Sequence, residues 1–144
     1  MNNYALLGLA EVLSDPWEVL MYSDKILAID ANNKFAWNDK GWALDPSQGA
    51  LGNYTQAIQY YDKALAIDPN FKMALYNKGH VFEHQGDYTQ AIQYYDKALA
   101  IDPNFKMALD HKQAVLSRMG NGRQQQMDIS MPGRIIIIDN RTRW

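Results

Sequence analysis

The chain has 144 residues, 47% of them apolar, no cysteine and a formal net charge of −2. That length holds one domain with a core of its own, while the near-neutral charge points to no partner and the missing cysteines leave the redox compartment open. Up to Gly120 there are ten basic against fourteen acidic residues, and afterwards four Arg against two Asp. An acidic body with a basic tail argues against nucleic acid as the ligand of the body. No stretch approaches the eighteen or so apolar residues of a membrane span. The start, MNNYALLGLAEVL, has no basic leader and carries Glu11 in its short apolar run, so no signal peptide is read and a cytoplasmic location is expected.

In chain order, residues 4–13 read as a first helix, apolar over much of its surface through Leu6, Leu7, Leu9, Val12 and Leu13. Asp15-Pro16-Trp17-Glu18 opens a second helix with an N-cap Asp, Pro at the first helical position and Glu at the third. Its later part, SDKILAID from Ser23 to Asp30, parallels YDKALAID from Tyr61 to Asp68, with Ile26 where later copies have Ala64 and Ala98 and Ser23 where they have a tyrosine. Looser packing is expected in this degenerate unit. The next unit opens with Asn33 and carries Phe35, Trp37, Gly41, Trp42 and Leu44. Pro46 disfavours helical geometry at Asp45, so this helix should end near Leu44. The connection Asp45 to Gly52, four residues longer than its counterpart in the next unit, reads as a tolerated surface loop rather than a lip over a ligand.

The twenty-two residues from Tyr54 to Leu75, YTQAIQYYDKALAIDPNFKMAL, return unchanged from Tyr88 to Leu109, 34 residues later. That period is the length of one helix–turn–helix unit, two helices of about twelve residues plus short connections. Tyr54, Ala57, Ile58, Tyr61, Ala64, Leu65 and Ile67 share one helix face, which must be buried. Asn53 and Asp87 stand where N-caps belong. Asp68-Pro69-Asn70 and Asp102-Pro103-Asn104 are expected to stop one helix and cap the next. Gly41 and Gly79 mark close approaches between helix axes.

A last helix, about 105–119, carries Gln113 at the position of those glycines, which would block a further helix and make it a cap. Leu109, Val115 and Leu116 are expected to pack back on the helix that starts at Tyr88. Gly120-Asn121-Gly122 should end it, with Arg123 and three Gln as linker. Met127 to Met131 and Arg134 to Ile138 then make a short irregular or β-prone tail.

In register with these repeats, the unit from Lys72 to Phe105 shows Leu75, Gly79, Phe82, Gly86, Tyr88, Ala91, Tyr95, Ala98 and Pro103, and the unit before it Trp37, Gly41, Leu44, Tyr54, Ala57, Tyr61, Ala64 and Pro69. On these residues the chain resembles a tetratricopeptide repeat (TPR) protein over roughly residues 4–119. The resemblance implies an all-α fold, a right-handed superhelical stack of antiparallel helix hairpins with units at about 4–31, 34–71 and 72–105, a capping helix at 105–119 and a tail from 120 to 144.

It also implies a protein-interaction scaffold and no enzyme, in which the first helix of each hairpin lines a concave groove for an extended peptide. The second, fifth, sixth, ninth and twelfth positions of those helices would touch it. By register these are Phe35, Asn38, Asp39 and Trp42 in one unit, with the twelfth at the irregular Asp45. The next unit offers Met73, Tyr76, Asn77, His80 and Glu83, and the cap Met107, Asp110, His111 and Ala114. Aromatic and amide side chains there suit a peptide. Asp39, Glu83 and Asp110 make the groove acidic, which favours a basic, apolar partner segment. The family's clamp for acidic chaperone tails is not expected, since only Asn77 matches it while Ala5, Leu9, Met107 and His111 hold its other positions.

The alternative is self-association or autoinhibition through the basic, Ile-rich tail. A distant third is a metal-dependent hydrolase, because His80-Val81-Phe82-Glu83-His84 reads H-x-x-E-H. That pattern lies inside a repeat helix whose register is already explained, so no metal site, cofactor or catalytic residue is assigned.

Overall fold

The computed structural model describes residues 15–130, with side chains as far as Asn121. Six helices follow one another: α1 Pro16–Ile29, α2 Lys34–Leu44, α3 Tyr54–Ile67, α4 Lys72–His84, α5 Tyr88–Ile101 and α6 Lys106–Ser130. No strand occurs among the described residues. The helix expected over 4–13 and the Ile135 to Ile138 run lie outside them. Each helix packs on the next, and α4 also touches α2 and α6. The first helices of successive units, α2, α4 and α6, therefore form one layer, and α1, α3 and α5 the other.

The helix starts follow the sequence. Asp15 accepts the Trp17 N–H, Asn33 that of Ala36, and Asp87 that of Gln90, while Asn53 and Gln56 exchange bonds in a capping box. The DPN connections behave differently from expectation. Asp68 and Asp102 end their helices and accept the N–H of Asn70 and Asn104 in tight local turns, leaving Phe71 as the N-cap of α4 without a side-chain bond. Asn70 does not cap. At the end of α4, Gly86 takes φ 80°, which a side chain would strain. There Asp87 N–H reaches the Phe82 carbonyl and Gly86 N–H that of Glu83, so both helix-end carbonyls are satisfied.

Packing within each hairpin rests on a glycine under a tyrosine. A Cβ on Gly41 would stand 2.6 Å from the ring of Tyr61, and one on Gly79 2.7 Å from that of Tyr95. Both rings are fully buried, beside Ala57, Ala64, Ala91 and Ala98. Salt bridges repeat along the stack with the same logic. Lys40–Asp24, Lys78–Asp62 and Lys112–Asp96 each tie a first helix to the second helix of the preceding unit. Lys34–Asp68 and Lys72–Asp102 close each hairpin from its first residue to its last.

Three expectations at the C-terminal end are corrected. The last helix does not stop at Gly120 but runs to Ser130, so Met127 to Ser130 are helical rather than a strand. Glycine costs a helix about 1 kcal/mol yet keeps its N–H, and the three Gln that follow are good helix formers. Val115 is buried against α5 as expected, but Leu109 and Leu116 are 45% and 43% exposed. They correspond to Leu75 and Phe82, which face α5 from within their own hairpin, and among the described residues no helix follows α6 to cover them. Lys106 shows the same break, turning to Asp110 on its own helix.

In the first unit Ser23 is fully buried and its hydroxyl has no hydrogen-bond partner among the described residues. The lost tyrosine is thus replaced by an unsatisfied polar group.

Candidate functional site

The layer of α2, α4 and α6 carries every residue of the expected groove, and the structure sorts them by depth. Asn38 and Asn77 meet across α2 and α4, Asn77 Nδ2 donating to Asn38 Oδ1 at 2.9 Å, both buried. Asp39 is buried beside them. Phe35 packs edge-on against Phe71 at 5.3 Å and joins the hairpin core, together with Met73. Trp42 leans on Val19 and Ala43. Tyr76 is only 5% exposed, its ring enclosed by His80, Tyr95, Phe105 and His111. Asp110 is exposed and paired with Lys106. Tyr76 is therefore a support beneath the surface rather than an open floor.

Glu83 departs furthest from its expected place on an acidic rim. It is 6% exposed, and its carboxylate collects three donors: Tyr95 Oη at 2.7 Å and His111 Nδ1 at 3.0 Å on Oε1, and Arg118 Nη1 at 3.1 Å on Oε2. Burial opposes its charge, but these bonds outweigh it and hold the carboxyl below the usual range. Burial, reinforced by Glu83, pushes the Tyr76 phenol up to about 12 and Tyr95 far above its ordinary value. Glu83 thus fastens α6 to α4 and α5.

Sequence reasoning missed the partner of this arrangement in the preceding unit. Asp45, in the connection read as plain surface loop, is fully buried and accepts from Tyr61 Oη at 3.1 Å, from Ser47 N at 2.9 Å and from Ser47 Oγ at 2.7 Å. The loop folds back, its Gly49 and Leu51 N–H groups satisfying the last carbonyls of α2. Asp45 and Glu83 are both the twelfth residue of their units, and each lies against the same tyrosine of the repeated segment. That shared count was the available signal.

All three histidines of the chain meet at this end of the layer. The ring of His80 lies 4.4 Å from that of His84 and 5.0 Å from that of His111. Burial, then the neighbouring His84 and His111, hold His80 below its ordinary value. The H-x-x-E-H reading needs Glu83 as a free base, and both its oxygens are engaged. Among the described residues no group of three His, Cys, Asp or Glu is arranged to hold a metal ion.

Residues 46–104 match the family model described as Tetratricopeptide repeat. Those residues carry the tetratricopeptide repeat. The matched segment spans the inserted loop, the hairpin partner α3, and the unit α4–α5. The Lys40–Asp24 and Lys112–Asp96 bridges repeat the spacing of Lys78–Asp62 on either side of it. No curated protein matches the chain. Tetratricopeptide repeats are in general protein-interaction modules, and no described helix is long and apolar enough to cross a membrane.

Proposed function

We propose that this tetratricopeptide stack, right-handed in its superhelix, is a scaffold that takes an extended peptide or partner segment along the layer of α2, α4 and α6. The observation that carries the reading is continuity. Groove-register side chains of neighbouring units touch, through Asn38–Asn77 and through His80–His111, so one ligand can be read by all three helices. Trp42, Met73, His80 and His111 remain partly open to apolar or aromatic contacts, with Asp39, Asp45 and Glu83 behind them. Buried carboxylates beneath such a surface favour a segment that mixes Arg or Lys with apolar residues.

The sequence 131–144, with Arg134, Ile135 to Ile138 and Arg141, has that composition. As a free peptide it should bind the chain at micromolar strength, more weakly as salt rises because charges are screened over about 10 Å at 0.1 M. Trp42→Ala with Met73→Ala should weaken it at least about tenfold, or ~1.4 kcal/mol. Calorimetry with no heat at low salt, or NMR shifts centred on Gln59 and Gln93 of the outer layer, would reject this assignment.

The exposed Leu109 and Leu116 favour a second reading, self-association or autoinhibition through the Ile-rich tail. Light scattering on the chain with and without residues 131–144 separates it from the first: an unchanged monomer in both cases removes self-association.

A further inference from the structure

Two of the three clustered histidines have a fixed tautomer. Ser47 Oγ has one proton and gives it to Asp45 Oδ1 at 2.7 Å, so toward His80 Nδ1, 3.2 Å away, it can only accept. A neutral His80 therefore carries its proton on Nδ1 and a lone pair on Nε2. At His111 the partner of Nδ1 is the Glu83 carboxylate, which accepts only, so the neutral ring again keeps its lone pair on Nε2. These rings stand 5.0 Å apart, His84 lies 4.4 Å from His80, and all three come from groove-side helices.

The surrounding titratable and charged groups are few, and the two phenols among them stay neutral. From α4 itself come Glu83 and Tyr76, from the loop after α2 Asp45, from α5 Tyr95, and from α6 Arg118, already held by Glu83. In neutral form the cluster offers acceptors over buried carboxylates. Each added proton turns an acceptor nitrogen into a donor and places a positive charge beside another imidazole, with His80 between the other two.

We infer that His80, His84 and His111 form one proton-operated selector at the end of the groove, which receives cationic segments when neutral and turns them away when protonated. The inference rests on the groove reading above and adds its regulation. Burial, and then a charge on His84 or His111, disfavours protonation of His80 between them, so His80 responds to its neighbours.

The first arm of the test needs no ligand. Imidazole ¹⁵N spectra of the whole chain should show the Nδ1–H tautomer at His80 and His111 near pH 7.5. His80 should protonate below the ordinary histidine value of about 6.5 and move toward it in His111→Gln. Ordinary titration of His80, unmoved by His111→Gln, overturns the coupling. The second arm uses the 131–144 peptide and a version with Arg134, Arg141 and Arg143 replaced by Glu. Between about pH 7.5 and 5.5 the basic peptide should lose at least tenfold in affinity and the acidic one should gain. In the His80→Gln/His111→Gln chain the change should stay within about twofold. Binding that ignores pH overturns the selector and leaves the groove standing. No binding of either peptide, with coupled titration intact, overturns the groove reading and the selector with it while the coupled cluster stands.

Discussion

Gly41 and Gly79 are each pressed against a tyrosine ring closely enough that even a methyl group would have to displace it, and the backbone oxygens of Ala57 and Ala91 close the other side at 3.2 Å. Gly79→Leu should therefore cost more than about 2 kcal/mol in chemical denaturation, by overpacking and lost contacts. Gln113→Leu should be near neutral, since Gln113 is exposed and no described helix docks on it. A large loss of melting temperature there would mean that something does. Ser23→Ala should raise stability by about 1 kcal/mol, because it removes a buried hydroxyl that has no partner among the described residues. The glycine positions were legible because small residues at a fixed offset from a repeated tyrosine have one physical reading. Asp45 was not, since a carboxylate in a turn-rich stretch is buried only if the loop folds back on the end of α2 and a phenol from the next helix reaches it.

At the scale of the element, identical sequence produces identical helices. α3 and α5 bury the same alanines and the same tyrosine, and end on the same Asp turn. The salt bridges add register rather than much energy, being mostly half-exposed. Lys78 is the exception, with a side chain only 9% exposed; burial works against its charge, but bonds from Asp62 and Tyr94 more than compensate. Lys78→Met should thus destabilise more than Lys40→Met, a difference that paired denaturation curves would show; equal losses would mean that burial of the pair contributes nothing. The period, the hairpins and the caps of α1, α2, α3 and α5 could be read from the chain alone. The fate of α6 could not. Leu109, Gln113 and Leu116 lie on one helix face, and that face cannot both follow Leu75, Gly79 and Phe82 toward a later helix and turn back on α5.

For the whole molecule, the junction of α4, α5 and α6 makes stability depend on pH at both ends. His80 is harder to protonate in the fold than in the unfolded chain, so stability falls as pH drops below about 6.5. Glu83 sits below its ordinary 4.5, so its contribution is present above that value and lost as acid protonates it in the fold. Tyr76, raised to about 12, contributes fully below its ordinary 10.0 and loses that contribution between the two. Melting temperatures across pH should describe a plateau with both shoulders, and Glu83→Gln should flatten the acid one; an acid shoulder unchanged in that variant would place its origin elsewhere. The exact recurrence of twenty-two residues has one more result. Removing Tyr54 to Asp87 joins Asn53 to Tyr88 and restores the same words in the same order, since Tyr88 to Leu109 repeat what was cut out. A polymerase slipping by one period, or a chain that pairs α2 with α5 while α3 waits, meets no sequence barrier. In the shortened protein Tyr95 would face Gly41 and hand its phenol to Asp45 in place of Glu83.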